Sequence, residues 1–236
     1  YFWFCRNVGN SLPLIALQYH EVKFNLELKK ATELTNGWKG PEPEGSVDLW
    51  VDYIYLDTDE RRRFAQVSHE YLIEQLQYQS ISCSGTTGGF DINFNHPVKE
   101  LIWTSEWTEN SFHSDTIAYN PADLGFSHYG LKINGHDRFE KRHVYYFSKT
   151  QVLEHHTGWG SVASDPRGAA GDNICVYSFA LKPEQHQPSG TCNFSRLDNV
   201  LFEISNASTS SNVNIYAVNY NVLRIMSGMG GLAYSN

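Results

Sequence analysis

A two-residue rhythm recurs along this chain and limits the folds open to it. In "LPLIALQYHEVKFNLELKK", His20, Val22, Phe24, Leu26 and Leu28 fall on one side. Tyr19, Glu21, Lys23, Asn25 and Glu27 fall on the other. Successive side chains of a strand point to opposite faces, so this pattern predicts a strand with one wet face. "SVDLWVDYIYLD" predicts a second, rich in aromatic and β-branched residues. "FDINFNHPVKELIWTSEW", "SDTIAYN", "HYGLKINGHDRF", "NICVYSFALK", "CNFSRLDNVLFEIS" and "VNIYAVNYNVLRIMSG" are further candidates. Pro97 marks a bulge, edge or break, because it has no N–H to give a ladder. Asn134-Gly135 is a hairpin signal. The connections "NGWKGPEPEG", "SCSGTTGGF" and "SDPRGAAGD" are polar and glycine-containing. No strand–helix alternation suggests a parallel sheet. The expected class is all-β, an antiparallel sandwich or jelly roll.

The rhythm changes once. In "TDERRRFAQVSHEYLIEQ", Phe64, Val67 and Tyr71 recur at three- and four-residue spacing, which predicts a short helix. Thr58 or Asp59 is the candidate cap. The helix should pass into a strand near "EYLIEQLQYQS". "YFSKTQVLEHHTGWG" can hold a second short helix or an irregular turn.

The net charge is −8, with only 18 Lys and Arg. Binding a phosphate backbone needs clustered cations, so direct nucleic-acid binding is not expected. Arg61-Arg62-Arg63 follows Asp57, Asp59 and Glu60 and reads as a solvated helix start. No apolar run approaches the roughly 18 residues of a membrane span. Cys5, Cys83, Cys175 and Cys192 are widely spaced and form no CxxC pair, which favours free thiols over a zinc site or disulfide framework. The opening "YFWFCRN" reads as an internal segment, so a preceding stretch of chain is expected.

Few motifs survive inspection. "HEYLI" has Ile73 where a zinc-binding HExxH needs its second histidine. Asp57 and Asp59 could hold a magnesium ion, but a helix cap explains them equally well. "SGTTGG" lacks the phosphate-loop lysine, and "SGMGG" lacks dinucleotide-loop spacing. Glu154, His155 and His156 form a metal candidate only if a turn makes the two imidazoles converge. In "KPEQHQPSGTCNFSR", His186 and Cys192 could form a nucleophile pair if the Pro188–Gly190 bend joins them. The same stretch also reads as a turn feeding a strand. No metal or cofactor is expected. Asn193-Phe194-Ser195 and Asn206-Ala207-Ser208 fit the N-glycan acceptor pattern, making Asn193 and Asn206 candidate modification sites.

Five stretches resemble, in order, the double jelly-roll major capsid proteins of nucleo-cytoplasmic large DNA viruses, of the algal-virus and iridovirus type. They are "LPLIALQYHEVKFNLEL", "LWVDYIYLDTDERRRFAQVSHEYLIEQLQ", "FNHPVKELIW", "SFALKPEQHQPSGTCNFSRLDN" and "YAVNYNVLRIMSGMGGLAYSN". The resemblance implies that residues 1–57 are the last strands of an incomplete first jelly roll. It makes 58–69 the linking helix and 70–236 a complete second roll. It also implies a non-enzymatic building block that trimerises into pseudo-hexagonal capsomers tiling an icosahedral shell. The expected partners are two further copies of the chain, neighbouring capsomers and minor capsid proteins, with any inner viral membrane reached only through other proteins. The expected location is the virion, after assembly in the host cytoplasm. A carbohydrate-binding jelly-roll module using Trp107 or Trp159 is the alternative.

Overall fold

The computed structural model describes residues 2–27, 47–84, 87–105, 128–158, 174–205 and 210–235. It has two compact units: Tyr1–Tyr71 with Val222–Ala233, and Leu72–Asn221 with Tyr234–Asn236.

Among the described residues of the first unit, the one regular α-helix is α1 (Thr58–Gln66). Its cap is Asp57, one residue before Thr58 and two before Asp59, the expected positions. The Asp57 carboxylate accepts from Thr58 N at 2.7 Å, and Glu60 Oε2 accepts from Asp57 N at 3.3 Å. This capping box satisfies backbone donors that the first turn leaves open. The expected strands over residues 17–27 and 47–57 are not strands. Alternation decides which face a residue occupies, but a strand also needs a neighbour to complete its ladder. Trp50 and Tyr55 are each 91% exposed, so the aromatic character of this stretch is not spent on a core. Tyr19 N donates to Gly228 O, and Gly230 N to His20 Nδ1.

The second unit is a sandwich. Its strands are β1 (His69–Ser84), β2 (Gly88–Asp91), β3 (Pro97–Ser105), β4 (His128–Ile133), β5 (His136–His143), β6 (Ile174–Ser178), β7 (Cys192–Asn193), β8 (Val200–Ser205) and β9 (Ser210–Met226). The ends of β1 and β9 run into the first unit, where β9 pairs with β10 (Met229–Leu232). One sheet has the order β1-β9-β3-β6, with β7 added to β3; the other has β2-β8-β4-β5. Every described pairing register is antiparallel. With β7 and β10 set aside, successive strands change sheets at every step except β4 to β5, which is jelly-roll wiring. The expected all-β jelly-roll class is therefore correct.

That exception is the Asn-Gly hairpin. Asn134 and Gly135 have φ of 50° and 81°, the left-handed pair a tight two-residue turn requires. The core lies where the sheets face each other. β8 buries Val200, Phe202 and Ile204, and β9 buries Val213, Ile215 and Ala217. Trp103 is fully enclosed, with edge-on rings of Tyr129, Phe147 and Phe202 at centroid distances of 5.3, 5.0 and 5.2 Å. Beyond β5, a π-helical turn (Tyr146–Thr150) runs into the short helix α2 (Gln151–His155).

The chain leaves β2 and changes sheets through residues 92–96. Two glutamines of β1 hold this crossover. Gln77 donates to Asn95 O at 2.6 Å and accepts from Asn95 N at 2.8 Å. Gln79 donates to Asp91 O at 3.0 Å and accepts from Asn93 N at 2.9 Å. The two carboxamides thus act as a substitute strand for a segment whose Ile92 and Phe94 are buried.

Candidate functional site

The polar chemistry of the sandwich converges on the loop after β6, the start of the stretch "KPEQHQPSGTCNFSR". The cause lies in β3. Its register shifts between Val98 and Glu100, a bulge that interrupts the alternation. Val98, Leu101 and Trp103 reach the core, while Lys99 and Glu100 are both buried. The bulged Lys99 carbonyl accepts from Phe179 N and Ala180 N.

Each buried charge then grips the loop. Lys99 Nζ lies 2.8 Å from Glu74 Oε1 of β1 and donates to Pro183 O at 2.7 Å. Its ammonium also sits 5.6 Å from the Tyr220 ring centroid. On the other side, Glu100 Oε2 lies 3.1 Å from His156 Nε2, close enough for an ion pair but off the line of a hydrogen bond. His156 Nδ1 faces Glu184 Oε1 at 3.3 Å. Glu184 also accepts from the Thr157 amide at 3.0 Å and from the Thr157 hydroxyl. These contacts set the charges. The Glu100 carboxylate, helped by Glu184, raises the His156 pKa above its ordinary value despite partial burial. The Thr157 hydroxyl is the largest cause of the lowered Glu184 pKa.

Turn geometry closes the loop. Ser189 Oγ accepts from Lys182 N at 2.9 Å. Gly190 has φ of 143°, and a Cβ there would lie 2.9 Å from Phe179 O. Only glycine combines this dihedral with so close a backbone approach.

This arrangement does not activate Cys192, which the sequence suggested as a nucleophile. Burial raises the Cys192 thiol pKa, the opposite of an activated nucleophile. Cys192 belongs to β7, paired with Val98, and no described hydrogen bond joins it to His186. The two histidines after Glu154 diverge: His155 Nδ1 contacts Leu181 O, whereas His156 lies between two carboxylates. Asp57 caps α1, and Asp59 forms an exposed contact with Arg62. No metal-binding group of three or more His, Cys, Asp or Glu exists among the described residues. No disulfide joins Cys5, Cys83, Cys175 or Cys192. Asn193 Oδ1 accepts from Ser195 N at 3.1 Å, capping the turn that buries Phe194. Asn206, Trp107 and Trp159 lie outside the described residues.

Sequence reasoning missed Lys99, Glu100, His156 and Glu184 as a set. Only the bulge had a visible sign: Val98 and Leu101, both core residues, are three apart in a strand that should alternate.

A family model for the large eukaryotic DNA virus major capsid protein matches residues 60–231, and one for the major capsid protein N-terminus matches residues 1–57. The chain belongs to the major capsid protein family of large eukaryotic DNA viruses. It is 50% identical over its whole length to a major capsid protein of Pyramimonas orientalis virus, of which it covers 60%. It is 38% identical, again over its whole length, to that of Paramecium bursaria Chlorella virus 1, covering 65%. The chain thus spans under two thirds of these relatives. A crystal structure of VP54 from PBCV-1, fitted into a reconstruction of the Sputnik virophage, superposes with a TM-score of 0.78 at 36% identity. That match covers all of this chain and 69% of VP54. The Faustovirus major capsid protein shares the fold at a TM-score of 0.56 and 11% identity, over 73% of this chain. No described helix is long and apolar enough to cross a membrane.

Proposed function

We propose that the chain is part of a capsid building block that trimerises into pseudo-hexagonal capsomers and tiles an icosahedral shell. It acts by assembly, without catalysis. The observation that carries this reading is the full-length match to VP54, with a TM-score of 0.78. Residues 1–57 are read as the last strands of a first jelly roll, 58–69 as the link and 70–236 as the second roll. Separate family models over residues 1–57 and 60–231 support that division. So does the exposure of Trp50, Tyr53 and Tyr55, which a completed first roll would cover. Neighbouring capsomers and minor capsid proteins are the partners in the virion, after assembly in the host cytoplasm.

The sandwich suits this role because its polar loop is fixed by buried charges, so a contact surface keeps its shape. Light scattering on the intact protein after size-exclusion chromatography tests the reading. A stable trimer is expected, and a strictly monomeric species at capsid-forming concentration would overturn it. Peptide mapping across Asn193 and Asn206 tests the acceptor patterns. At Asn193 a glycan would compete with the cap the amide provides to Ser195 N.

A further inference from the structure

We propose that His156, placed between Glu100 of β3 and Glu184 of the loop, is a proton-dependent latch that seats residues 181–190 on the sandwich. The two ring nitrogens face carboxylate oxygens at 3.1 and 3.3 Å. A neutral imidazole has one N–H, so its other nitrogen would turn a lone pair toward a carboxylate. Only the imidazolium carries a proton on both nitrogens. The Glu100 and His156 side chains are just 9% and 17% exposed, so solvent screens the pair weakly.

Other charged groups nearby are already engaged. Lys99 faces Glu74 and Pro183 O, and His155 Nε2 lies 4.0 Å from Glu154. Neither Lys99 nor His155 contacts the imidazole in a described interaction. Removing one ring proton would therefore leave one of the two carboxylates against a lone pair and both without a cationic partner.

The direction of the effect follows from the charges. The His156 pKa is raised above its ordinary value of 6.5, so the latch contributes fully below that value. It is lost as pH rises through the folded-state pKa. The Glu184 pKa is lowered, so its side of the latch is present above the ordinary carboxylate range and lost as pH falls through its folded value. The latch is closed between these two limits and opens toward alkaline pH.

Hydrogen exchange of the intact protein, corrected for intrinsic base catalysis, reads this directly. The Thr157 amide and the amides of residues 181–190 should lose protection by up to about tenfold per pH unit as pH rises from the ordinary histidine value of 6.5 to the folded pKa, and should level off above it. Amides in β8 and β9 should show no such step. Glu184→Gln lies at the half-exposed end and should fold; it should lower loop protection and flatten its pH dependence. His156→Gln should do the same. A wild-type profile without the step, or an unchanged step in both variants, would overturn the latch. Because β8 and β9 are measured in the same sample, global unfolding is distinguished from loop release.

Discussion

Replacing Lys99 with methionine is the most direct test of how this loop is held. Methionine keeps the length of the side chain and its packing against Tyr220 but removes the ammonium. The Glu74 carboxylate, with its side chain 9% exposed, would lose its counter-charge at 2.8 Å. The Pro183 carbonyl would lose a donor at 2.7 Å. Breaking one side of a buried ion pair costs about 3–5 kcal/mol, and an abandoned carbonyl about 1–3 more. The groups share one ammonium, so the terms overlap, and a total of about 5 kcal/mol is expected. At about 2–4 °C per kcal/mol for a domain of this size, the melting temperature should fall by about 10–20 °C. Removing both charges should behave differently. Glu74→Leu with Lys99→Met removes both charges of the pair and leaves the Pro183 carbonyl short of a donor, so the double variant should recover part of the loss. Thermal and urea unfolding of wild type, both single variants and the double variant complete the cycle. A coupling energy below about 1 kcal/mol would mean that the pair acts like an exposed one and does not anchor the loop.

The other predictions concern backbone geometry. Gln77→Glu and Gln79→Glu keep an acceptor for Asn95 N or Asn93 N but lose the donor to Asn95 O or Asp91 O; each should cost about 1–2 kcal/mol, with those amides still protected from exchange. Gly190→Ala should cost about 1–3 kcal/mol in urea unfolding, because its φ of 143° and the Phe179 oxygen at 2.9 Å oppose a Cβ. Cys192→Ser should leave oligomer size by light scattering unchanged, whereas one residue inserted into Pro188-Ser189-Gly190 should reduce it. Asp57→Ala should lower the helical stability of α1 by about 1 kcal/mol, seen as faster exchange of its first-turn amides.

The sandwich was legible wherever a strand keeps one face in the core. "VLFEIS" buries Val200, Phe202 and Ile204 in turn, and the sequence alternates with them. The Asn134-Gly135 turn was legible because its dihedrals exclude most other residues. Residues 47–57 have the aromatic and β-branched character of a strand yet form none, since a side-chain pattern cannot state whether a partner is present. The clamp was hidden for a different reason. Glu74, Lys99, His156 and Glu184 come from four segments that only the strand order brings together, and charged residues in a strand normally signal a wet face. "PVKELIW" nonetheless contains the clue: if Leu101 and Trp103 face inward, strict alternation puts Lys99 inward and Val98 out. Burying Val98 as well requires the extra residue of a bulge, and that residue carries a charge into the sandwich. Such a charge is stable only beside an acceptor, here Glu74 and the Pro183 carbonyl. One break in a strand's rhythm thus determines how a loop more than 80 positions later is held.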